Sequence, residues 1–153
     1  MASEGRKKKV VLASGVFDLL HLGHVKFLEE AKKAGGKDAV LIVIIARDST
    51  VEENKGRKPI MSESQRRTLV ESLRVVDEAV LGFEKIELGD VIERVKPDVI
   101  ALGYDQVYVE KGVKKYVDKH KLNVKVIRIG KFEEDELDSS SKIRKKIVEK
   151  FSR

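Results

Sequence analysis

The chain of 153 residues contains no cysteine, which excludes disulfides, thiolate nucleophiles and cysteine-ligated metal centres. It has no tryptophan and only five Phe and three Tyr, few stacking platforms for a protein that binds single-stranded bases along a groove. Long apolar runs are missing too. The longest, Ala39 to Ala46, suits a buried strand and is too short to cross a bilayer. The charged N-terminus carries no apolar segment ahead of a cleavage site, so a cytoplasmic location is the expectation. The dinucleotide fingerprint GxGxxG is absent after the first apolar run, which disfavours a nicotinamide dehydrogenase.

What is present is charge. Charged residues make up 38% of the chain and the net charge is +6, with basic clusters at Arg6 to Lys9 and Lys142 to Arg153. Such a balance points to an anionic partner, either nucleic acid or a small phosphate-bearing substrate. The hydrophobic fraction of 41% supports one ordinary core. The expected organisation is a single domain over residues 1–153, with residues 1–8 a flexible tail.

Residues 10–24, VVLASGVFDLLHLGH, organise the rest. Val10 to Ala13 is long enough for a buried strand, Ser14 and Gly15 turn the chain, and Phe27, Leu28, Ala31 and Ala34 repeat as one helical face. Gly35-Gly36 stops that helix. The β-branched run Asp38 to Ala46 reads as a central parallel strand, apolar on both faces. Asp48 to Lys58 is polar, contains Gly56 and reaches Pro59, and reads as a loop. Ser62 and Gln65 have capping-box spacing ahead of Leu69, Val70 and Leu73.

Val75 to Leu81 then reads as a strand. Leu88, Val91, Ile92 and Val95 mark a helix stopped by Pro97, and Val99 to Leu102 a fourth strand. Val113, Tyr116 and Val117 indicate a short helix, and Val124 to Ile129 a fifth strand. After the acidic stretch Phe132 to Asp138, Ser139 to Ser141 offer an N-cap to a last helix bearing Ile143, Ile147 and Phe151. Alternation of this kind predicts an α/β, Rossmann-like domain, a five-stranded parallel sheet with helices on both faces. Its ligands sit beyond the carboxyl ends of the strands.

His21 and His24 stand one helical turn apart near the first helix's N-terminus, where unpaired N–H groups and the dipole already favour anions. Gly23 between them removes a side chain where a ligand would approach. Two of the three histidines placed around a glycine after a strand and a turn suit a polyphosphate better than a packing role. A metal site lacks a third ligand nearby. Four further groups stand out. Lys55, Gly56, Arg57 and Lys58 form a basic loop, which is either a solvated charge run or a phosphate contact. Arg66, Arg67 and Arg74 share one helical segment; adjacent Arg66 and Arg67 point to different faces, and Arg67 and Arg74 are candidate phosphate clamps. Asp105 follows a buried strand within Gly103 to Gln106, where a carboxylate needs a partner such as a ribose hydroxyl or a metal. Ser139 to Arg144 puts hydroxyls and cations at a helix start.

Over nearly its whole length the chain resembles the nucleotidyltransferases with an HxGH signature, in the cytidylyltransferase-like branch. FDLLHLGH is similar to their first motif and SSSKIR to their C-terminal serine/threonine-lysine motif. GRKPIMSESQRRTLVESLRVVDEAVLG and ALGYDQ are nearer to the archaeal FAD synthases than to the glycerol-3-phosphate cytidylyltransferases. The resemblance implies that Val16, Phe17 and His21, Leu22, Gly23 and His24 contact ATP, that Asp105 contacts the nucleoside, and that Ser140, Ser141 and Lys142 reach the phosphates. His21, His24 and Lys142 are then the expected catalytic groups, with Lys55 or Lys58 and an Arg as further clamps. The family usually has Thr where this chain has Val16, so here only the backbone N–H serves. Leu22 replaces a common Pro or aromatic residue.

The expected reaction is adenylyl transfer from ATP to FMN, with a divalent cation such as Mg²⁺ bridging phosphates and no metal assigned to protein side chains. A CTP-dependent cytidylyltransferase and a basic nucleic-acid-binding module are the alternatives. The expected partners are ATP and FMN, with no nucleic acid or membrane, and a homodimer is compatible with the chain's size.

Overall fold

The computed structural model describes residues 8–82, 88–132 and 137–152. Most of the expected N-terminal tail and part of the acidic stretch after Phe132 lie outside the described residues, as does the Leu88 side chain. The elements are β1 (Val10–Gly15), α1 (Leu22–Ala34), β2 (Val40–Ile45), α2 (Asp48–Lys55), α3 (Glu63–Glu71), β3 (Glu78–Leu81), α4 (Leu88–Val95), β4 (Val99–Leu102), α5 (Val107–Lys119), β5 (Lys125–Arg128) and α6 (Ser140–Phe151). The five strands pair parallel throughout in the order β3-β2-β1-β4-β5. The expected α/β sheet is therefore the one observed. The order reverses between β1 and β4, which fixes where the carboxyl-edge crevice opens.

Continuous apolar strands have a physical counterpart in two cores. Val11 and Ala13 of β1, Leu41, Val43 and Ile45 of β2, and Val99 and Ala101 of β4 face Leu28 and Ala31 of α1 and Val70 of α3. The alternate residues Leu12, Ile44, Ile100 and Leu102 face Val91 and Ile92 of α4 and Val113 and Val117 of α5. Side chains two apart share a face, so a strand covered on both sides must be apolar at every position.

Asp48 to Lys58 is not all loop. Residues Asp48–Lys55 form α2, which ends at Gly56 with φ of +72°, the left-handed stop that favours glycine. Val51 is its only buried residue, so the sequence shows no apolar period. Its N-terminus is completed from another element: the Glu63 carboxylate accepts from Asp48 N–H at 3.0 Å and from Arg47 Nη1 at 2.7 Å. The Asp48 backbone bond, then Arg47, holds the Glu63 carboxyl below its usual range. The third strand begins at Glu78 rather than Val75. Val75 and Val76 instead pack against the first core, while the Asp77 carboxylate accepts from Leu41 N–H at 2.7 Å. The helix around Val113 is longer than the apolar repeat suggested, running Val107–Lys119, and the last strand is shorter, Lys125–Arg128.

Burial at α1 sets a stability test. Leu28 is fully buried, whereas Ile147 of α6 is 50% exposed. Leu28→Ala is expected to cost about 3 kcal/mol in urea unfolding, and Ile147→Ala less than about 0.5 kcal/mol. A loss below 1 kcal/mol at Leu28 would contradict the packing of α1 on the sheet.

Candidate active site

At the carboxyl edge of β1, β2 and β4 lies a cleft of about 1250 Å³, more than the roughly 300–1,000 Å³ of a typical single-ligand pocket. The turn from β1 to α1 forms its floor. Phe17 and Leu19 have φ of +54° and +52°, a left-handed conformation that costs a non-glycine residue about 1–3 kcal/mol. Bonds on every side hold it there. The Asp18 carboxylate accepts from Ile60 N–H at 2.8 Å and Met61 N–H at 2.9 Å, and the Asp18 carbonyl accepts from the Ser140 hydroxyl. Arg66, with no exposed surface, donates through Nη1 to the carbonyls of Val16 and Ala46, both at 2.8 Å. Its Nε reaches the Met61 carbonyl at 3.0 Å and its Nη2 the Asp48 carboxylate at 2.7 Å.

His21 is the N-cap of α1 and His24 its third residue. The rings stack with centroids 3.7 Å apart, and Phe17 backs His24 at 5.3 Å. His24 Nδ1 accepts from the His21 backbone N–H at 3.3 Å. An accepting Nδ1 assigns the proton to Nε2, so the distal nitrogen is a donor. Burial, then the neighbouring His21, pushes the His24 imidazole down to about 3 against a smaller opposing pull from Asp18. Burial also lowers His21, opposed by the Asp138 carboxylate. Both rings are neutral at pH 7. Gly23 is required by contact: a Cβ there would lie 2.6 Å from the Asp138 carbonyl and 2.8 Å from the His21 ring.

The structure gathers most of the sequence-selected residues. Val16, Phe17, His21, Gly23, His24, Asp105, Ser140, Ser141, Lys55 and Lys58 all border the cleft. Ser139 caps α6, accepting from Lys142 N–H at 3.2 Å, so the N-termini of α1 and α6 both face this space. Gln106 ties β4 to β1, accepting from Gly103 N–H and donating to the Ser14 carbonyl.

Other residues stand elsewhere. Leu22 is outside the cleft wall and 41% exposed. Arg67 pairs with Glu71 at 3.2 Å and donates to the Ala79 carbonyl of β3 at 3.4 Å; Arg74 lies past the end of α3 at Glu71 and so does not share its helix, and neither borders the cleft. Lys142 is likewise absent from the wall. Its Nζ lies 2.8 Å from an oxygen of Asp138, whose side chain is 1% exposed, and this pairing holds the Asp138 carboxyl below its usual range. Sequence reasoning missed the roles of Asp18, Arg66 and Asp138. Only the adjacency of Asp18 to the histidine motif could have signalled one of them.

The His24 shift carries a pH signature. Folding lowers this pKa, so the folded protein binds fewer protons below the unfolded value near 6.5. The associated stability is complete above that pH and is lost as pH falls toward 3. From pH 7 to pH 4 the wild type is expected to lose about 3 kcal/mol more than His24→Asn, measured by denaturant unfolding at each pH. Equal losses would mean that folded His24 titrates normally.

The chain matches the cytidylyltransferase-like family over residues 12–146. An FAD synthase of Thermoplasma volcanium is 48% identical over 139 residues, 91% of this chain and 94% of that protein. An FAD synthase of Methanobrevibacter smithii is 50% identical over 139 residues, 91% and 90% of the two chains. Among solved structures, one from Thermoplasma volcanium, described as a lipopolysaccharide core biosynthesis protein, has a TM-score of 0.73 at 44% identity, over 82% of this chain and 98% of that one. A pantoate-beta-alanine ligase of Francisella tularensis has a TM-score of 0.64 at 18% identity, over 94% and 67%, a likeness of fold alone. With a matched segment that runs from β1 into α6 and carries both helix N-termini of the cleft, the chain belongs to the cytidylyltransferase-like family.

Proposed function

We propose that the protein is an FMN adenylyltransferase, an FAD synthase that converts ATP and FMN to FAD and pyrophosphate. The observation that carries the reading is the neutral imidazole pair at the N-terminus of α1, set directly beside the α6 N-terminus, whose Ser140 hydroxyl bonds the Asp18 carbonyl. The relatives named FAD synthase, at 46–50% identity over most of their length, support the choice of substrates.

In the reaction an oxygen of the FMN phosphate attacks the α-phosphorus of ATP as the bond to the β-phosphate oxygen breaks. Both electrons of that bond leave with pyrophosphate. The protein's contribution is positioning and stabilisation of growing charge. His24 donates from Nε2–H to a phosphate oxygen, and His21 stands beside it. The N–H groups of α1 and α6 and the Ser141 hydroxyl serve the same phosphates, Ser140 ties the α6 N-terminus to the β1–α1 turn through the Asp18 carbonyl, and Lys55 and Lys58 supply cations from the cleft wall. Asp105 at the end of β4 accepts from a ribose hydroxyl. Lys142 is paired with Asp138, and Arg67, held along β3, and Arg74, beyond the end of α3, would have to leave those positions to serve as clamps.

A divalent metal, Mg²⁺ for example, accompanies ATP in this reading. Among the described residues no three His, Asp or Glu side chains are grouped to hold one, and of the carboxylates bordering the cleft Asp18 accepts from two backbone N–H groups, Glu30 pairs with Lys33 and Asp138 pairs with Lys142. The residues fit phosphate oxygens rather than a metal, so the cation is carried by the nucleotide. No helix of the described residues is long and apolar enough to cross a membrane. The reading places the enzyme in the cytoplasm, where its substrates are made, and allows a homodimer.

Pyrophosphate release tests the function, with ATP or CTP paired against FMN or glycerol 3-phosphate. ATP with FMN is expected to be the active pair, and His24→Ala to lower kcat by about a hundred- to a thousand-fold. Turnover of CTP with glycerol 3-phosphate alone would replace the substrates while keeping the chemistry.

A further inference from the structure

The cleft extends well past the space a triphosphate needs. From the β1–α1 turn it continues under α2, the helix that the sequence did not reveal. Thr50, Val51 and Asn54 of α2 border this part of the cleft, together with Lys55, Arg57 and Lys58 and with Pro59 and Ile60 from the segment that follows. Thr50 and Asn54 are four residues apart and so lie one turn apart on one helix face. Val51, 4% exposed, lies beside them as apolar wall. The Thr50 hydroxyl is buried and, among the described residues, has no hydrogen-bond partner. A buried hydroxyl without a partner costs about 1–3 kcal/mol relative to a satisfied one. In an α-helix a Thr hydroxyl ordinarily turns back to a carbonyl of the preceding turn. This one does not.

We infer that the α2 face of Thr50, Val51 and Asn54 is the binding site for the flavin ring of the acceptor, which deepens the adenylyltransferase reading and rests on it. An isoalloxazine is a flat, mostly apolar tricycle whose pyrimidine edge alternates carbonyl oxygens with an N–H. Val51 and the Pro59–Ile60 segment match its faces. The Thr50 hydroxyl and the Asn54 amide match that edge, since each can donate and accept. The basic residues Lys55, Arg57 and Lys58 border the same cleft close in sequence to Asn54, cations suited to the acceptor's phosphate. A polyol phosphate as acceptor has no apolar ring to set against Val51, Pro59 and Ile60.

The test separates flavin binding from nucleotide use. FMN fluorescence quenching is titrated without ATP, and steady-state KM values are measured for both substrates, in wild type, Thr50→Val, Asn54→Leu and Thr50→Ser. The expected result is a roughly tenfold weaker FMN affinity and higher KM for FMN in the first two variants. The KM for ATP is expected to be unmoved, and Thr50→Ser, which keeps the hydroxyl, to bind FMN nearly as the wild type does. Thermal melts and the unaltered KM for ATP report that the variants are folded. An unchanged FMN affinity in both variants overturns the site while leaving the adenylyltransferase reading in place. A rise in the KM for ATP instead of FMN overturns it too, by assigning this part of the cleft to the nucleotide. A wild type that neither binds FMN nor forms FAD overturns the functional reading itself.

Discussion

The cleft depends on one buried cation. Arg66 enters the space where the ends of β1 and β2 and the segment before α3 meet, and spends its donors on three carbonyls and the Asp48 carboxylate. Burying a guanidinium costs several kcal/mol before its partners are counted. A lysine could not replace it, because an ammonium offers three donors from one point and cannot span Val16, Ala46 and Met61 together. The gain is position rather than net stability. Met61 shows how tightly that position is fixed: Asp18 takes its N–H while Arg66 takes its carbonyl. With both sides of one residue engaged, the left-handed Phe17 and Leu19 have nowhere to relax, and the strain stays in the turn beneath the histidines.

Neutral histidines are the consequence of that packing. At 3.7 Å between ring centroids, two imidazolium ions would repel by about 4 kcal/mol even at an effective dielectric constant of 20. Burial adds to the cost of charging either. The pair therefore supplies uncharged donors, with the His24 tautomer fixed, and the positive charge of the cleft comes from helix ends and from Lys26, Lys55, Arg57, Lys58, Lys131 and Arg144. Donors that carry no full charge hold an anion less tightly than cations do, and the fixed tautomer of His24 keeps its Nε2–H a donor without reorientation. The backbone fixes that tautomer. The His21 N–H is one of the unpaired donors of the first turn of α1, and His24 Nδ1 satisfies it.

Local chemistry wrote much of the fold into the sequence. The unbroken apolar run of β2 states burial on both faces, and the caps at Ser62 and Ser139 sit where Ser-x-x spacing puts them, each serine accepting from the N–H three residues on. The histidine motif is legible because its parts are within four residues of one another. What escaped notice depends on residues far apart. Helix α2 is capped by Glu63, fifteen residues beyond Asp48, so its start carries no local mark. Arg66 and Arg67 look alike in sequence, and only the way α3 lies on the sheet decides that the first is buried and the second, paired with Glu71, runs along the edge strand β3. Lys142 belongs to a recognisable motif, yet its partner Asp138 is four residues back and nearly buried, which a pattern of serines and cations does not disclose.

Asp138 raises an apparent conflict, a carboxylate beneath a site built for polyphosphate. Its geometry resolves it. The backbone carbonyl of Asp138 presses on Gly23 and its side chain is turned inward, so the carboxylate does not border the phosphates as an open anion. Lys142 at 2.8 Å cancels most of its field toward the cleft. What remains acts at short range on His21, opposing the effect of burial. Lys131 acts on the same carboxylate, so Asp138 keeps a second cation when the half-exposed Lys142 turns toward an anion. Two lysines act on Asp138 and Asp138 acts on His21, so the charges at the start of α6 and the histidine pair of α1 are electrostatically coupled.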